Sequence, residues 1–334
     1  MSAMNVRITL AVLAICAAAN AEDILLVLAK TDQTLSMVDP ATMKVIARMP
    51  SGPDPHEVVA SADGKFAYIS NYGGGAYNTI TVIDLVERKA LSTVDLGALR
   101  GPHGLMFAGG KVWFTAEAAK AVGSYDPATK KVDWILGTGQ NRTHMIYVFD
   151  DLKRLVTSNI SSASMTVIEK TSGAPGRGPG RGPREDWDET VIPVGRGAEG
   201  FDVSPNGKEL WAANAGDGTI SILSIAGKKV IETLSANVSG ANRLKFTPDG
   251  KLVFVSTLSG PDVTIFDTAT RKEVKRVPTG RGAAGIQMQP DGSRVFVACT
   301  PNDYVAIFDL KTLQVTGHLD AGKQPDGMAW ASRR

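Results

Sequence analysis

The chain has 334 residues, of which 43% are hydrophobic and 21% are charged, and its formal net charge is +2. This length and composition are typical of one globular domain with a large core. The small net charge gives no electrostatic basis for binding nucleic acid or a membrane surface, so both are excluded as expected partners.

Residues 1–21 have the pattern of a signal peptide. Arg7 precedes an apolar run at positions 8–18, and Ala19-Asn20-Ala21 has the small residues of a cleavage site. The apolar run is too short to be a transmembrane segment. We therefore expect a periplasmic or secreted protein whose mature domain spans 22–334. Cleavage would also remove Cys16, leaving Cys299 as a single buried thiol without a disulfide partner.

Beyond the signal peptide, one sequence motif recurs at a period of roughly forty residues. Its fullest copy has apolar runs at 197–204, 209–214, 218–223 and 228–234, separated by turns such as PNGK at 205–208. Asn-Gly and Asp-Gly steps supply the positive φ angles of short hairpins. Each copy therefore predicts a four-stranded antiparallel sheet.

The two ends of the chain share one further copy. The run ILLVLA at 24–29 and the run QTLSMVD at 33–39 read as second and third strands with no opening strand before them. The C-terminal PDGMAW at 325–330 matches the opening strand PHGLMF at 102–107. The sequence thus predicts an all-β, seven-bladed β-propeller of four-stranded antiparallel blades, closed by pairing of the C-terminal strand with the N-terminal blade. Since closure leaves no free sheet edge, a monomer is expected.

From residue 24 to residue 330 the repeats resemble the YVTN-type β-propeller family. The run from Tyr68 to Asn71, Tyr-Ile-Ser-Asn, is the nearest match to the tetrapeptide that gives the family its name. The resemblance implies the propeller fold and leaves the activity open.

The residues that open the innermost strands should form a ring at the mouth of the central channel. Six of the seven are polar, and three of the four histidines of the chain occupy neighbouring positions of the ring. In blade order the ring is Asp326, His56, His103, His144, Glu199, Asn242 and Ala284.

Two chemistries fit this ring. His103, His144 and Glu199 are proton-transfer partners, and Arg196 and Arg243 are placed to clamp a small anionic molecule. Alternatively, His56, His103 and His144 are neutral imidazoles that suit a divalent zinc, copper or iron ion. A cap that bonds the neighbouring blade is a structural role open to any one of the histidines.

Histidine, glutamate and arginine at a channel mouth also resemble the seven-bladed lactonase-like propellers. The steps Pro55-His56 and Pro102-His103 match the Pro-His opening of that family, whereas His144 follows Thr143 and departs from it. The resemblance implies hydrolysis or isomerisation of lactones or sugar acids.

The segment 171–190 lengthens blade four and is rich in Gly, Pro and Arg. It lacks the strand, helix and Gly-Lys-Ser/Thr ending of a phosphate loop, so a flexible insertion on the face opposite the histidines is expected. It motivates an alternative function, a non-catalytic cell-envelope scaffold that docks a protein partner through this loop.

Overall fold

The computed structural model describes residues 22–171 and 186–333. These residues form 28 β-strands and two single-turn 3-10 helices, Gly73–Gly75 and Thr300–Asn302. The strands of the first half are, in chain order, β1 (Glu22–Ala29), β2 (Thr34–Asp39), β3 (Lys44–Pro50), β4 (Pro55–Ala60), β5 (Phe66–Asn71), β6 (Thr79–Asp84), β7 (Lys89–Asp95), β8 (Pro102–Ala108), β9 (Lys111–Ala116), β10 (Ala121–Asp126), β11 (Lys131–Gly137), β12 (Thr143–Val148), β13 (Arg154–Asn159) and β14 (Ser164–Thr171). Those of the second half are β15 (Asp186–Pro193), β16 (Ala198–Val203), β17 (Glu209–Asn214), β18 (Thr219–Ser224), β19 (Lys229–Leu234), β20 (Ala241–Phe246), β21 (Leu252–Thr257), β22 (Asp262–Asp267), β23 (Glu273–Pro278), β24 (Ala283–Met288), β25 (Arg294–Cys299), β26 (Tyr304–Asp309), β27 (Gln314–Leu319) and β28 (Pro325–Arg333).

The strands assemble into seven four-stranded antiparallel sheets, which are the blades of the propeller. Blade one has the order β28-β1-β2-β3, and six further blades follow from β4-β5-β6-β7 to β24-β25-β26-β27. β28 pairs with β1, with Trp330 opposite Leu25. The predicted seven-bladed fold and its closure by the C-terminal strand are confirmed.

Apolar side chains fill the spaces between neighbouring blades. Leu26 and Leu28 of β1 join a cluster with Ile69 of blade two, whereas Leu25 and Val27 pack with residues of blade seven. Because side chains alternate across a strand, both faces of β1 are buried and its sequence is continuously apolar. This arrangement explains why the second strands lack the polar alternation of a solvent-facing sheet.

Each innermost strand carries a bulge at its second and third residues. In β4, His56 and Glu57 together oppose the single residue Ser70, and the other six innermost strands show the same shift. A bulge re-aims the side chains of the strand that contains it. In every blade the bulge includes the ring residue that was identified from the repeats.

Hydroxyl groups hold these bulges against the next blade. The Ser70 hydroxyl accepts a hydrogen bond from the Glu57 amide at 3.1 Å and donates one to the His103 carbonyl at 2.8 Å. Thr115, Ser158 and Ser256 make the equivalent pair of bonds in blades three, four and six. The backbones of His103, His144, Glu199 and Ala284 are thus each held by a side chain of the preceding blade.

Residues 1–21 and 172–185 lie outside the described residues, so the predicted signal peptide and most of the predicted insertion do too. The flanking strands pair as far as Thr171 with Asp186, so residues 186–190, assigned to the insertion from the sequence, belong to β15. No helix in the described residues is long and apolar enough to cross a membrane.

Candidate functional site

The second residues of all seven innermost strands line one cavity of about 290 Å³ at the channel mouth. The ring expected from the repeat register is therefore a continuous wall. Five further polar residues line the same cavity, and these are Lys30, Tyr72, Arg142, Arg243 and Thr300.

A buried carboxylate–imidazole pair lies at the base of this wall. Glu117 directly follows β9, and its Oε1 accepts a hydrogen bond from Nδ1 of His144 in the next blade. The two side chains are 4% and 3% exposed. Because an ionised carboxylate only accepts, the proton of the neutral imidazole is assigned to Nδ1, which leaves a lone pair on Nε2. That Nε2 has no hydrogen-bond partner and lies 3.7 Å from Oε1 of Glu199.

Two more groups hold Glu117. Its Oε2 accepts a hydrogen bond from the Tyr72 hydroxyl and lies 3.4 Å from Nε of Arg142. Burial raises the pKa of Glu117, but the contacts with His144, Tyr72 and Arg142 outweigh it and leave the pKa below 4.5. Burial, together with the bond to Glu117, raises the pKa of Tyr72 to about 12. At neutral pH Glu117 is therefore ionised and Tyr72 is neutral.

The other ring histidines stack on this pair. The His103 ring lies 3.8 Å from the His144 ring and 5.0 Å from the His56 ring, centroid to centroid. Burial lowers the pKa of His103 well below 6.5, and the electrostatic effects of His144, His56 and Arg243 act in the same direction. Burial also lowers the pKa of His56. Nδ1 of His103 is buried without a hydrogen-bond partner.

The ring geometry bears on the predicted metal set of His56, His103 and His144. The donors suit zinc, copper or iron, but the rings of His103 and His144 overlap at 36° instead of converging on one point. Within residues 22–171 and 186–333, no group of three or more His, Cys, Asp or Glu is placed to hold a metal ion. The bond from Nδ1 of His144 to Glu117 leaves Nε2 available as a metal ligand, and the metal set stays a prediction.

Arg243 reaches across the channel axis. Its Nη2 bonds Oε1 of Glu57, so the ion pair joins blade six to blade two. Burial lowers the pKa of Arg243, but the negative charges of Glu57, Asp326 and Glu199 raise it by a larger amount. The pKa of Arg243 is therefore raised above its usual value. Nη1 of Arg243 is buried without a partner, as is Oδ1 of the neighbouring Asn242. The residues that line the mouth cavity therefore have four buried polar atoms without a hydrogen-bond partner, two on His103 and His144 and two on Asn242 and Arg243.

The cations of the mouth are already neutralised. Lys30 pairs with Asp326 at 2.7 Å, Arg142 with Glu117 and Arg243 with Glu57. Glu199 has no lysine or arginine partner among the described residues. The free cationic clamp expected from the sequence is thus replaced by a balanced set of charges.

Arg196 lies away from the site. Its side chain is 80% exposed, and its Nε bonds Asp217 at 2.6 Å instead of lining the cavity. The hydrogen bond from its own amide to the same carboxylate shows that the residue stabilises a rim turn. The structure therefore removes Arg196 from the proposed catalytic set, because the Arg-Gly step turns its side chain into solvent.

The structure brings together His103, His144, Glu199 and Arg243 as the sequence predicted. It adds partners that were not among the predicted site residues, namely Glu117, Tyr72, Glu57 and Lys30. Glu117 is contributed by a neighbouring blade and follows a second strand, where no repeat signal distinguishes it. Glu57 was detectable only as a carboxylate next to a ring histidine.

Comparisons with known proteins extend the fold assignment. No protein-family model and no curated protein match the chain. Among solved structures, a functionally unknown protein from Desulfotomaculum acetoxidans is similar with a TM-score of 0.73 at 13% identity, covering 90% of this chain and 98% of that one. A candidate 6-phosphogluconolactonase from Bacteroides uniformis gives 0.72 at 16% identity, with coverages of 92% and 99%. Another from Bacteroides fragilis gives 0.72 at 17% identity, with coverages of 94% and 99%. At these identities the likeness shows a shared fold.

Proposed function

We propose that this propeller binds a small polar molecule at the channel mouth and hydrolyses it by general base catalysis, with a lactone as the substrate class. The observation that carries the proposal is the buried pair of Glu117 and His144. The pair leaves Nε2 of His144 without a partner in the wall of the mouth cavity, next to Glu199. A base oriented by a carboxylate is the arrangement that proton abstraction needs.

The reaction follows from this geometry. Nε2 of His144 takes a proton from a water molecule that lies between it and Glu199, and the water oxygen attacks the lactone carbonyl carbon. The carbonyl oxygen becomes an oxyanion, for which the free Nη1 of Arg243 is a donor. Collapse of this intermediate breaks the ring C–O bond. The proton on His144 then passes to the departing alkoxide, which gives a hydroxy acid. Glu117 stabilises the transient imidazolium.

The charge balance of the mouth limits how many negative groups the ligand can carry. Because Lys30 and Arg142 are paired with carboxylates, recognition of a negative group depends on the single free donor of Arg243. We therefore propose a ligand with no more than one anionic or carbonyl group at this point. Its hydroxyls would donate to the free Oδ1 of Asn242. Two candidate lactonases among the similar structures agree with the substrate class, but their 16% and 17% identities support the fold alone.

Acid release from a panel of lactones, including glucono-δ-lactone and γ-butyrolactone, tests this function. We expect His144→Gln to lower kcat/KM by roughly 100-fold or more with little change in Tm. His318→Gln is the matched control, since His318 lies on the outer strand β27. Loss of activity only in proportion to loss of stability would make His144 structural. Absence of both turnover and ligand binding would leave the non-catalytic scaffold with an envelope protein partner.

We also propose that the protein acts in the periplasm or outside the cell, on the basis of residues 1–21. Intact mass after expression with the native leader tests this. The expected mature chain begins at Glu22, and Ala21→Phe should accumulate the precursor. A wild-type chain that retains Met1 in the cytoplasm would overturn the proposal.

A further inference from the structure

The central channel is divided into two chambers at the third residue of each innermost strand. Four of these seven residues are glycine, namely Gly104, Gly200, Gly285 and Gly327. A Cβ atom on any of them would lie 2.2 to 2.6 Å from a carbonyl oxygen of the next blade. Glycine therefore permits the strands to approach closely in this layer.

Glu57 and Arg243 occupy the same layer. Their ion pair crosses the channel in this layer, from blade six to blade two. Arg243 lines the mouth cavity on one side and a second cavity of about 270 Å³ on the other. The second cavity opens on the face away from the histidines, and the pair forms a septum between the two.

The wall of this second chamber has two chemically different halves. It is formed largely by the fifth residues of the innermost strands. Those of blades one to four are mostly apolar: Ala329, Val59, Met106 and Tyr147. Those of blades five to seven are polar: Asp202, Lys245 and Gln287.

The polar half is largely satisfied internally. Asp202 accepts hydrogen bonds from the Lys245 ammonium at 3.2 Å and from the Phe246 amide at 3.0 Å. The buried group without a partner is Nη1 of Arg243 in the septum. An unsatisfied guanidinium donor is costly, and a carboxylate is the acceptor that it binds most strongly.

We propose that this second chamber is a separate binding site for a small aromatic carboxylate. The carboxylate accepts from Nη1 of Arg243, and the ring packs against the Met106 thioether and the Tyr147 ring. Sulfur–aromatic and aromatic–aromatic contacts favour an aromatic ligand over an aliphatic one of equal size. The volume suits a single ring, since about 270 Å³ lies just below the usual range for pockets that hold drug-sized ligands. This site shares the Nη1 donor of Arg243 with the proposed hydrolytic site, but its aromatic pocket lies on the other side of the septum and does not depend on the mouth being catalytic.

Fluorine NMR titration of the full chain with 4-fluorobenzoate tests the proposal. Val59→Phe and Gln287→Phe fill the chamber from opposite sides, and each should weaken binding by roughly tenfold or more. Ala284→Leu narrows the mouth cavity instead and should leave binding unchanged. Unfolding temperatures show which variants are folded. If Val59→Phe is unfolded, the binding measured for Gln287→Phe tests the site instead.

A charge comparison tests the role of Arg243. Neutral 4-fluorobenzyl alcohol should bind roughly tenfold more weakly than the carboxylate, which corresponds to the net strength of one charged hydrogen bond. The double variant Glu57→Gln/Arg243→Met leaves no unpaired buried charge and should abolish this preference. No binding at millimolar concentration, or equal binding by all variants, would overturn the site. Loss of binding in Ala284→Leu with retention in Val59→Phe would place the ligand in the mouth and also overturn it.

Discussion

Glu117 of blade three and His144 of blade four share a buried hydrogen bond between Oε1 and Nδ1. The two residues belong to different repeats, and neither repeat carries the pair by itself. The bond fixes which nitrogen of His144 holds the proton and leaves the other one directed at Glu199. The chemical character of the channel mouth therefore depends on a contact between blades.

Replacing Glu117 by Gln should change which nitrogen of His144 holds the proton. The Gln amide can donate to Nδ1, so the proton of His144 is expected to move to Nε2 and lactone hydrolysis to fall by roughly 100-fold. Nitrogen-15 NMR of the imidazole reports the tautomer directly and does not depend on any substrate. Glu87→Gln, at an exposed turn, is the matched control. An unchanged His144 tautomer in Glu117→Gln would contradict the assignment.

The stability of the protein should fall on mild acidification. Burial lowers the folded-state pKa of His103 well below 6.5, and that of His56 is lowered as well. The unfolded chain therefore takes up protons first, so this stability is complete above pH 6.5 and is lost as the pH falls below it. Glu117 also lowers the stability on acidification, but only below pH 4.5, because its folded-state pKa is depressed from that value.

Urea unfolding at pH 7.5 and pH 5.5 measures this effect. A fully coupled histidine contributes at most about 1.4 kcal/mol per pH unit to the free energy of unfolding. His103→Gln should reduce the pH dependence, whereas His318→Gln should preserve it. Equal slopes in the wild type and His103→Gln would show that His103 titrates normally in the folded state.

The glycines of the constriction should tolerate no side chain. A Cβ at position 327 would lie 2.2 Å from the His56 carbonyl oxygen, so Gly327→Ala should destabilise the protein by about 1–3 kcal/mol. Gly317→Ala on the outer strand β27 is the control, since a Cβ there meets nothing within 4 Å. Chemical denaturation compares the two. Similar stabilities would mean that the innermost strands can move apart without cost.

Metal content separates the two chemistries that the ring histidines suggested. Because the His103 and His144 rings stack, and no group of three or more His, Cys, Asp or Glu among the described residues is placed to hold a metal ion, we expect well under one equivalent of zinc, copper or iron. Elemental mass spectrometry of untagged protein after reconstitution with each metal provides the measurement. Close to one equivalent in the wild type and in His318→Ala, but not in His103→Ala, would establish the metal set instead.

Much of the fold could be predicted from local signals. Turn dipeptides, apolar runs and the complementary ends near residues 24 and 330 gave the blades, their order and their closure. Each of these depends on short-range backbone geometry or on the period of a repeat. The ring positions His103, His144 and Glu199 followed from the same register, because a repeat places equivalent residues at equivalent heights.

The partners of those residues could not be predicted in this way. Glu117 meets His144, and Glu57 meets Arg243, through contacts between different blades. Arg196 turns into solvent although it lies only two residues before β16. Side-chain direction at a bulge and charge pairing across a channel depend on how the blades close around the axis. By itself the sequence determined the seven-bladed frame and the height of each ring residue. Only the tertiary structure decided which charges neutralise one another and which polar atoms remain free, because both depend on distances between residues far apart in the chain.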